Sequence, residues 1–419
     1  MNRVSKIIYN SLNYKITADE FVSFTFFIYV ITVFTVYVLP YFKYTVPYIV
    51  AALLMLISLP FLFFSRSQKF ILYLIITSAL LAFLYFTVKI PGDLKESMNE
   101  FVRNVRFFLP AAMGVYAINK MKLKARKRTI IVMLCMILYI IFVSLMALVQ
   151  RPMLARELAE GVTISSNVAS YRLENVGGFE FSYMVGVLVL LFLYNFIQTS
   201  AVVKRLLYLP IVVLGYVYIV AAQYTALLLM TTIFAAMILF SKVSNVVIKL
   251  LLIMAFILII INLGDIFAYL SIHLHQNMLR DKFSWLAQYI NGSQDINVLH
   301  SRPRLYLNAL KAFIQSPVWG GASDIGDISH SYVFGLMASC GIIGLFSYLI
   351  MFFQTSKHML YQLKEKEIDT YIFKIACLYC FILSIFNPIG TSFEIALILY
   401  FFIPVWMSLK EKSMGTEEE

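Results

Sequence analysis

Runs of about twenty apolar residues recur from one end of this chain to the other, the length an α-helix needs to cross the roughly 30 Å hydrocarbon core of a bilayer. They fall near 21–39, 46–64, 70–90, 102–119, 129–149, 179–198, 206–222, 224–240, 250–271, 331–353, 371–386 and 390–407. Within lipid, every backbone N–H and C=O must be satisfied inside the protein, so only helices and closed barrels are allowed. Uninterrupted runs of this length predict helices. The sequence thus reads as an all-α, polytopic membrane protein with about twelve transmembrane helices, a single domain spanning 1–419. The composition agrees: 61% of residues are hydrophobic and 13% charged, against about a quarter charged in a soluble domain.

The net charge of +12 would suggest a nucleic-acid partner in a soluble protein. Here it reads as topology, because Lys and Arg gather on cytoplasmic loops, and no nucleic-acid binding is expected. Placing Arg3, Lys6 and Lys15 in the cytoplasm assigns to the same side Arg66 with Lys69, the cluster KMKLKARKR (120–128), Lys204 with Arg205, Lys242 with Lys249, and Lys357 with Lys364 and Lys366. Both termini are then cytoplasmic, and the first apolar run reads as an anchor. Cys135, Cys340, Cys377 and Cys380 all fall within apolar runs, so neither a disulfide framework nor a closed zinc site is indicated, and the CxxC at 377–380 reads as core packing in a helix.

Two segments on the outer side are too long to be turns: 150–178 and 272–330. The larger contains SRPRLYLNALKAFIQSPVWGG (301–321), which reads as a short amphipathic helix from Ser301 as N-cap to Gln315, ended by Pro317 and Gly320. Arg304, Asn308, Lys311 and Gln315 form its polar face. Arg302, Tyr306, Ala309 and Phe313 form the face expected to pack on the protein. Arg302 therefore points toward the body of the molecule and Arg304 toward solvent or headgroups. After the glycines the chain reaches His330 at the start of the next span. A helix N-terminus favours neutral imidazole, the proton-accepting form.

Charges within spans cluster toward the outer ends: Arg103, Arg106, Glu180, Asp265 and Glu394. Charges there are functional candidates by default, and as a set they suggest a polar cavity open outward. Arg103 and Arg106 share a helix face at i,i+3, placed to hold a diphosphate or an anionic headgroup. Tyr171, Tyr183, Tyr224, Trp285, Tyr289 and Trp319 are outer-side aromatics, available to stack on sugars or to form the interfacial belt.

The segments SRPRLYLNALKAFIQSPVWGGAS (301–323) and HSYVFGLMASCGIIGLFSYLI (330–350) resemble the O-antigen ligase and Wzy-type polymerase superfamily of bacterial envelope polysaccharide enzymes. The resemblance rests on Arg302, Pro317, Gly320, Gly321, His330, Ser331, Gly341 and Gly344. NVGGFEFSYMVGVLVLLFLY (175–194) and AAQYTALLLM (221–230) are similar to segments of capsule and exopolysaccharide polymerases. Two positions depart from the family: Gln223 and Tyr224 stand at the outer end of the eighth span, where ligases carry Arg, and Ser331 follows the His in place of Asn.

The resemblance implies transfer of a glycan from an undecaprenyl-diphosphate carrier to a sugar hydroxyl, at the outer face of the bacterial cytoplasmic membrane, without cofactor or metal. His330 is then the base or the group that positions the acceptor, and Arg302 stabilises the leaving diphosphate. Arg103, Arg106, Arg304, Arg172, Gln223, Tyr224, Ser331 and Glu394 are candidates for holding substrate. The partners implied are lipid-linked oligosaccharide, membrane lipids and a chain-length regulator. The missing Arg favours a repeat-unit polymerase over an O-antigen ligase. A lipid-linked oligosaccharide flippase is the rival from another class, disfavoured because the charges crowd to one side and no related halves are evident.

Overall fold

A computed structural model describes residues 17–38, 109–152, 154, 155, 158, 176–241, 247, 250, 254, 258, 261–273, 280, 283, 284, 287, 288, 297–321, 331–390 and 392–414. Among them the chain is mostly helical and has no strand. The helices are α1 (Ala18–Val38), α2 (109–119), α3 (Leu123–Gln150), α4 (Phe179–Gln198), α5 (Val202–Ala222), α6 (Thr225–Ser241), α7 (Leu263–His273), α8 (Asn297–Gln315), α9 (Tyr332–Glu365) and α10 (Tyr371–Phe386). The last, α11, runs from Phe393 to Met414 through a π-helical stretch at Leu397–Phe402.

Among the described residues, α3, α4, α5 and α9 are long and apolar enough to cross a membrane. Shorter apolar helices lie within α1, α6, α10 and α11. Tyr139, Phe142 and Val149 of α3, and Val203, Leu206 and Val213 of α5, are all exposed, apolar side chains that suit lipid better than water. Among the described residues the protein is helical, and its apolar helices are those of a membrane protein.

The centre of the bundle is α4. Its sequence is apolar all round, the mark of a helix with no solvent face, and it packs against α5, α6, α10 and α11. Tyrosine hydroxyls tie the buried helices together. Tyr379 and Thr231 join α10 to α6 at 2.8 Å, Tyr218 and Ser182 join α5 to α4 at 2.8 Å, and Tyr400 and Ser356 join α11 to α9 at 3.1 Å. In an apolar medium such pairs contribute about 1 kcal/mol each and fix which helix faces which.

Contacts sort the helix ends into two rims. At one, Lys122 pairs with Glu20 at 2.6 Å, Asn119 donates to Gln362 at 2.7 Å, Tyr194 donates to Asp369, and Arg126 donates to Ser408 at 3.0 Å. Lys120, Lys124, Lys127, Arg128, Lys204, Arg205, Lys364 and Lys366 belong to the same rim. At the other rim lie the ends of α3 and α5 and the starts of α4, α6 and α11. The basic cluster, expected in a loop, is instead largely helical: α3 begins at Leu123 and Arg126 is buried. Lys and Arg are good helix formers and nothing before Arg151 breaks the run.

The chief correction concerns α9. The apolar run 331–353 reads as one span; the helix found there extends over 34 residues, yet the rings of Tyr332 and Tyr348 lie 4.8 Å apart. Sixteen residues of straight helix would separate them by about 24 Å. The fold-back occurs at Gly341, whose φ of 61° and ψ of −157° are open essentially to glycine alone. The Ala338 carbonyl, which Ile342 would use in an unbroken helix, accepts instead from Gly321 N–H at 3.1 Å, while Ile342 N–H donates to the Pro317 carbonyl at 2.8 Å. Helix and turn have exchanged hydrogen bonds.

This exchange requires backbone contact. A Cβ on Gly341 would meet the Val318 carbonyl, one on Gly320 would meet the backbone of Ser339 and Cys340, and one on Gly321 would touch only Ser316 at 3.4 Å. Gly341→Ala and Gly320→Ala should each cost about 2–3 kcal/mol, and Gly321→Ala under about 0.5 kcal/mol. The thermal midpoints of the monodisperse detergent-solubilised proteins provide the check.

Candidate functional site

Residues 304–321 pack against the start of the helix that begins at Tyr332. α8 lies against the first arm of α9: the rings of Tyr306 and Phe334 stack at 5.1 Å, and Ala309 packs on Ala338 with Ala312 and Phe334 around them. Arg304, Asn308, Lys311 and Gln315 are exposed, as their spacing predicted. α8 starts at Asn297, so Ser301 lies inside the helix and is not its N-cap. Arg302 lies on the α8 backbone; its side chain falls outside the described residues.

After Gly321, the next described residue is Ser331. This residue is buried and caps α9, its hydroxyl accepting from Phe334 N–H at 3.2 Å. The next residue, Tyr332, donates its N–H to the Asn387 carbonyl at 3.2 Å, and its ring covers Gly390, where any Cβ would collide with it. The 387–392 turn therefore holds the start of α9 against the start of α11. There Ser392 caps α11, and its hydroxyl also donates to Glu394 Oε2 at 3.2 Å. Glu394 is buried, and the first turn of α11 packs on α4. The Asn387 side-chain amide nitrogen is buried and has no partner among the described residues.

A second polar group closes the same rim. Gln223 caps α5 in the left-handed conformation, φ 58°, and its amide donates to the Pro152 carbonyl at 3.0 Å while Oε1 is buried without a partner among the described residues. Tyr224 donates to the Ala155 carbonyl at 3.1 Å, its ring set edge-on to Phe179 at 5.2 Å. Gly177 N–H donates to Ser144 at 2.8 Å. Gln223 and Tyr224 thus hold the segment following α3 onto the bundle. Tyr183 and Tyr224, read from sequence as outer-side aromatics, are buried core; Trp319 is exposed.

The structure places Ser331, Glu394, Gln223, Tyr224 and Arg304 at this rim, and Asp265 is exposed on α7. His330, Arg103, Arg106 and Arg172, together with Asp324, Asp327, Tyr171, Trp285 and Tyr289, lie outside the described residues. Sequence reasoning missed Asn387 and Ser392. The signal was the NPIGTS stretch (387–392), a Pro-Gly turn between two apolar runs with an N-cap serine at its end. Among the described residues no three His, Cys, Asp or Glu side chains converge as a metal site would need.

No family model matches the chain, and no curated protein matches it. Tyr224→Phe removes one buried hydrogen bond and should cost about 1 kcal/mol. It should also raise proteolytic nicking at 151–158 in intact vesicles, which mass spectrometry of the fragments measures.

Proposed function

We propose that this protein is a polysaccharide repeat-unit polymerase of the bacterial cytoplasmic membrane. Both termini lie in the cytoplasm, and the rim carrying Ser331, Asn387, Glu394 and Gln223 faces outward. The basic character of the opposite rim supports this orientation, since Lys and Arg favour the cytoplasmic side.

The observation that carries the reading is the interlock of the signature residues. Pro317, Gly320, Gly321 and Gly341 exchange backbone hydrogen bonds, so the two halves of the motif form one rigid piece. Ser331, the residue bonded to His330, is buried beside the polar 387–392 turn. A short tether to a rigid anchor is what positioning of a reactive group requires.

In the reaction, the hydroxyl of an acceptor sugar attacks the anomeric carbon of a glycan linked to undecaprenyl diphosphate. The new C–O bond forms as the bond to the diphosphate breaks, and the hydroxyl proton passes to His330. The departing diphosphate takes the electron pair. Arg302, with Arg103 or Arg106, stabilises its charge, and Arg172 and Glu394 hold substrate around it.

The test is gel and mass-spectrometric analysis of surface and carrier-linked glycan in a strain lacking the protein, complemented with intact chain, His330→Ala or Arg304→Ala at equal membrane levels. Single repeat units without long chains are expected in the null and with His330→Ala, with polymer lowered less than about threefold by Arg304→Ala. Long polymer stranded on the carrier would make the protein a ligase. Loss of outward-facing repeat units altogether would make it a flippase. Full complementation by His330→Ala would remove that residue from the site.

A further inference from the structure

At about 100° per residue, α8 carries three faces rather than two. Tyr306, Ala309 and Ala312 turn toward α9, while Arg304, Asn308, Lys311 and Gln315 form the polar face. Between them lies a third stripe, Leu307, Leu310 and Ile314, which are 56%, 38% and 67% exposed. The apolar arc of this helix is wider than the short first arm of α9 can cover. Val318 and Trp319, in the turn that follows, extend the stripe and are exposed as well.

The stripe does not end there. The exchange of hydrogen bonds places Pro317 directly against Ile342. From Ile342 the second arm of α9 carries its own exposed line, Ile342, Phe346, Ile350 and Phe353. That line faces lipid, because 342–365 is the part of α9 left to cross the membrane once the helix folds back at Gly341. The exposed face of α8 and its turn is therefore continuous with the lipid-facing surface at the level where α9 enters the bilayer. Arg304 and Lys311 border it on the side away from the protein, where phosphates would lie.

We propose that α8 is an interfacial helix: its Leu307–Leu310–Ile314 stripe and Trp319 are seated in the headgroup and acyl-chain boundary of the adjoining leaflet, with Arg304 and Lys311 on the phosphates. An apolar stripe flanked by cations and closed by a tryptophan is what such a position requires. The inference does not depend on the reaction assigned above.

The test uses the full chain and its Trp319→Phe variant, reconstituted in phosphatidylcholine and phosphatidylglycerol vesicles carrying acyl chains brominated near the headgroup or near the bilayer centre. Trp319 is exposed, so the substitution leaves the fold intact, and the difference between the two proteins isolates it from the chain's other tryptophans. The Trp319 component is expected to fall about twofold with shallow bromines and less with deep ones. Ile314→Trp in the Trp319→Phe background should show the same depth profile. A component quenched by aqueous iodide but not by bromolipid would overturn the proposal, placing α8 in water. So would one quenched by neither, together with cross-links between copies at Ile314→Cys, which would place a second copy of the chain on the stripe.

Discussion

A backbone amide or carbonyl left without a partner in an apolar medium costs several kcal/mol, and this constraint shapes the part of the molecule that matters most. Breaking α9 at Gly341 would orphan the Ala338 carbonyl and the Ile342 amide. Neither is orphaned, because the 316–321 turn supplies one donor, Gly321 N–H, and one acceptor, the Pro317 carbonyl. The break and the turn make each other possible. Glycine at 320 and 341 follows, since both have positive φ and the two backbones touch.

The break determines the rest of the rim. By folding back, α9 brings Tyr332 over Gly390 and onto the Asn387 carbonyl, which fixes Ser331 in a buried position. The same fold-back leaves the first arm of α9 as a platform for α8. A straight α9 would put Ser331 far from the 387–392 turn, and the signature would have no polar neighbours. The central helix α4 supplies the opposing wall, because α5, α6, α10 and the start of α11 all pack on it.

Much of the helix inventory was legible. Apolar runs at 179–198 and 371–386 became α4 and α10 with unchanged bounds, because burial in lipid and helix length are both set by local composition. The polar face of α8 was equally readable from its spacing. The basic cluster was misplaced, since nothing in KMKLKARKR distinguishes a loop from the first turns of a helix. Ser301 was misread as a cap because a serine ahead of an amphipathic run has the chemistry of one, whereas the helix already begins at Asn297. Gly320 was legible as a helix stop, Gly341 only as part of a family-like spacing. That they pair with each other is a contact across residues distant in sequence.

By itself, then, the sequence determined the medium, the helical class and the faces of single helices, because hydrophobic length and periodicity are properties of consecutive residues. It also marked the segments 301–323 and 330–350 as belonging together. Only the tertiary structure decided that α9 folds back, that Gln223 and Tyr224 hold a loop onto the bundle, that Tyr183 and Tyr224 are core, and that part of α8 is left apolar and uncovered. Each of these depends on which distant backbone or ring fills a partner's unmet hydrogen bond or bare surface, and no local pattern encodes that choice.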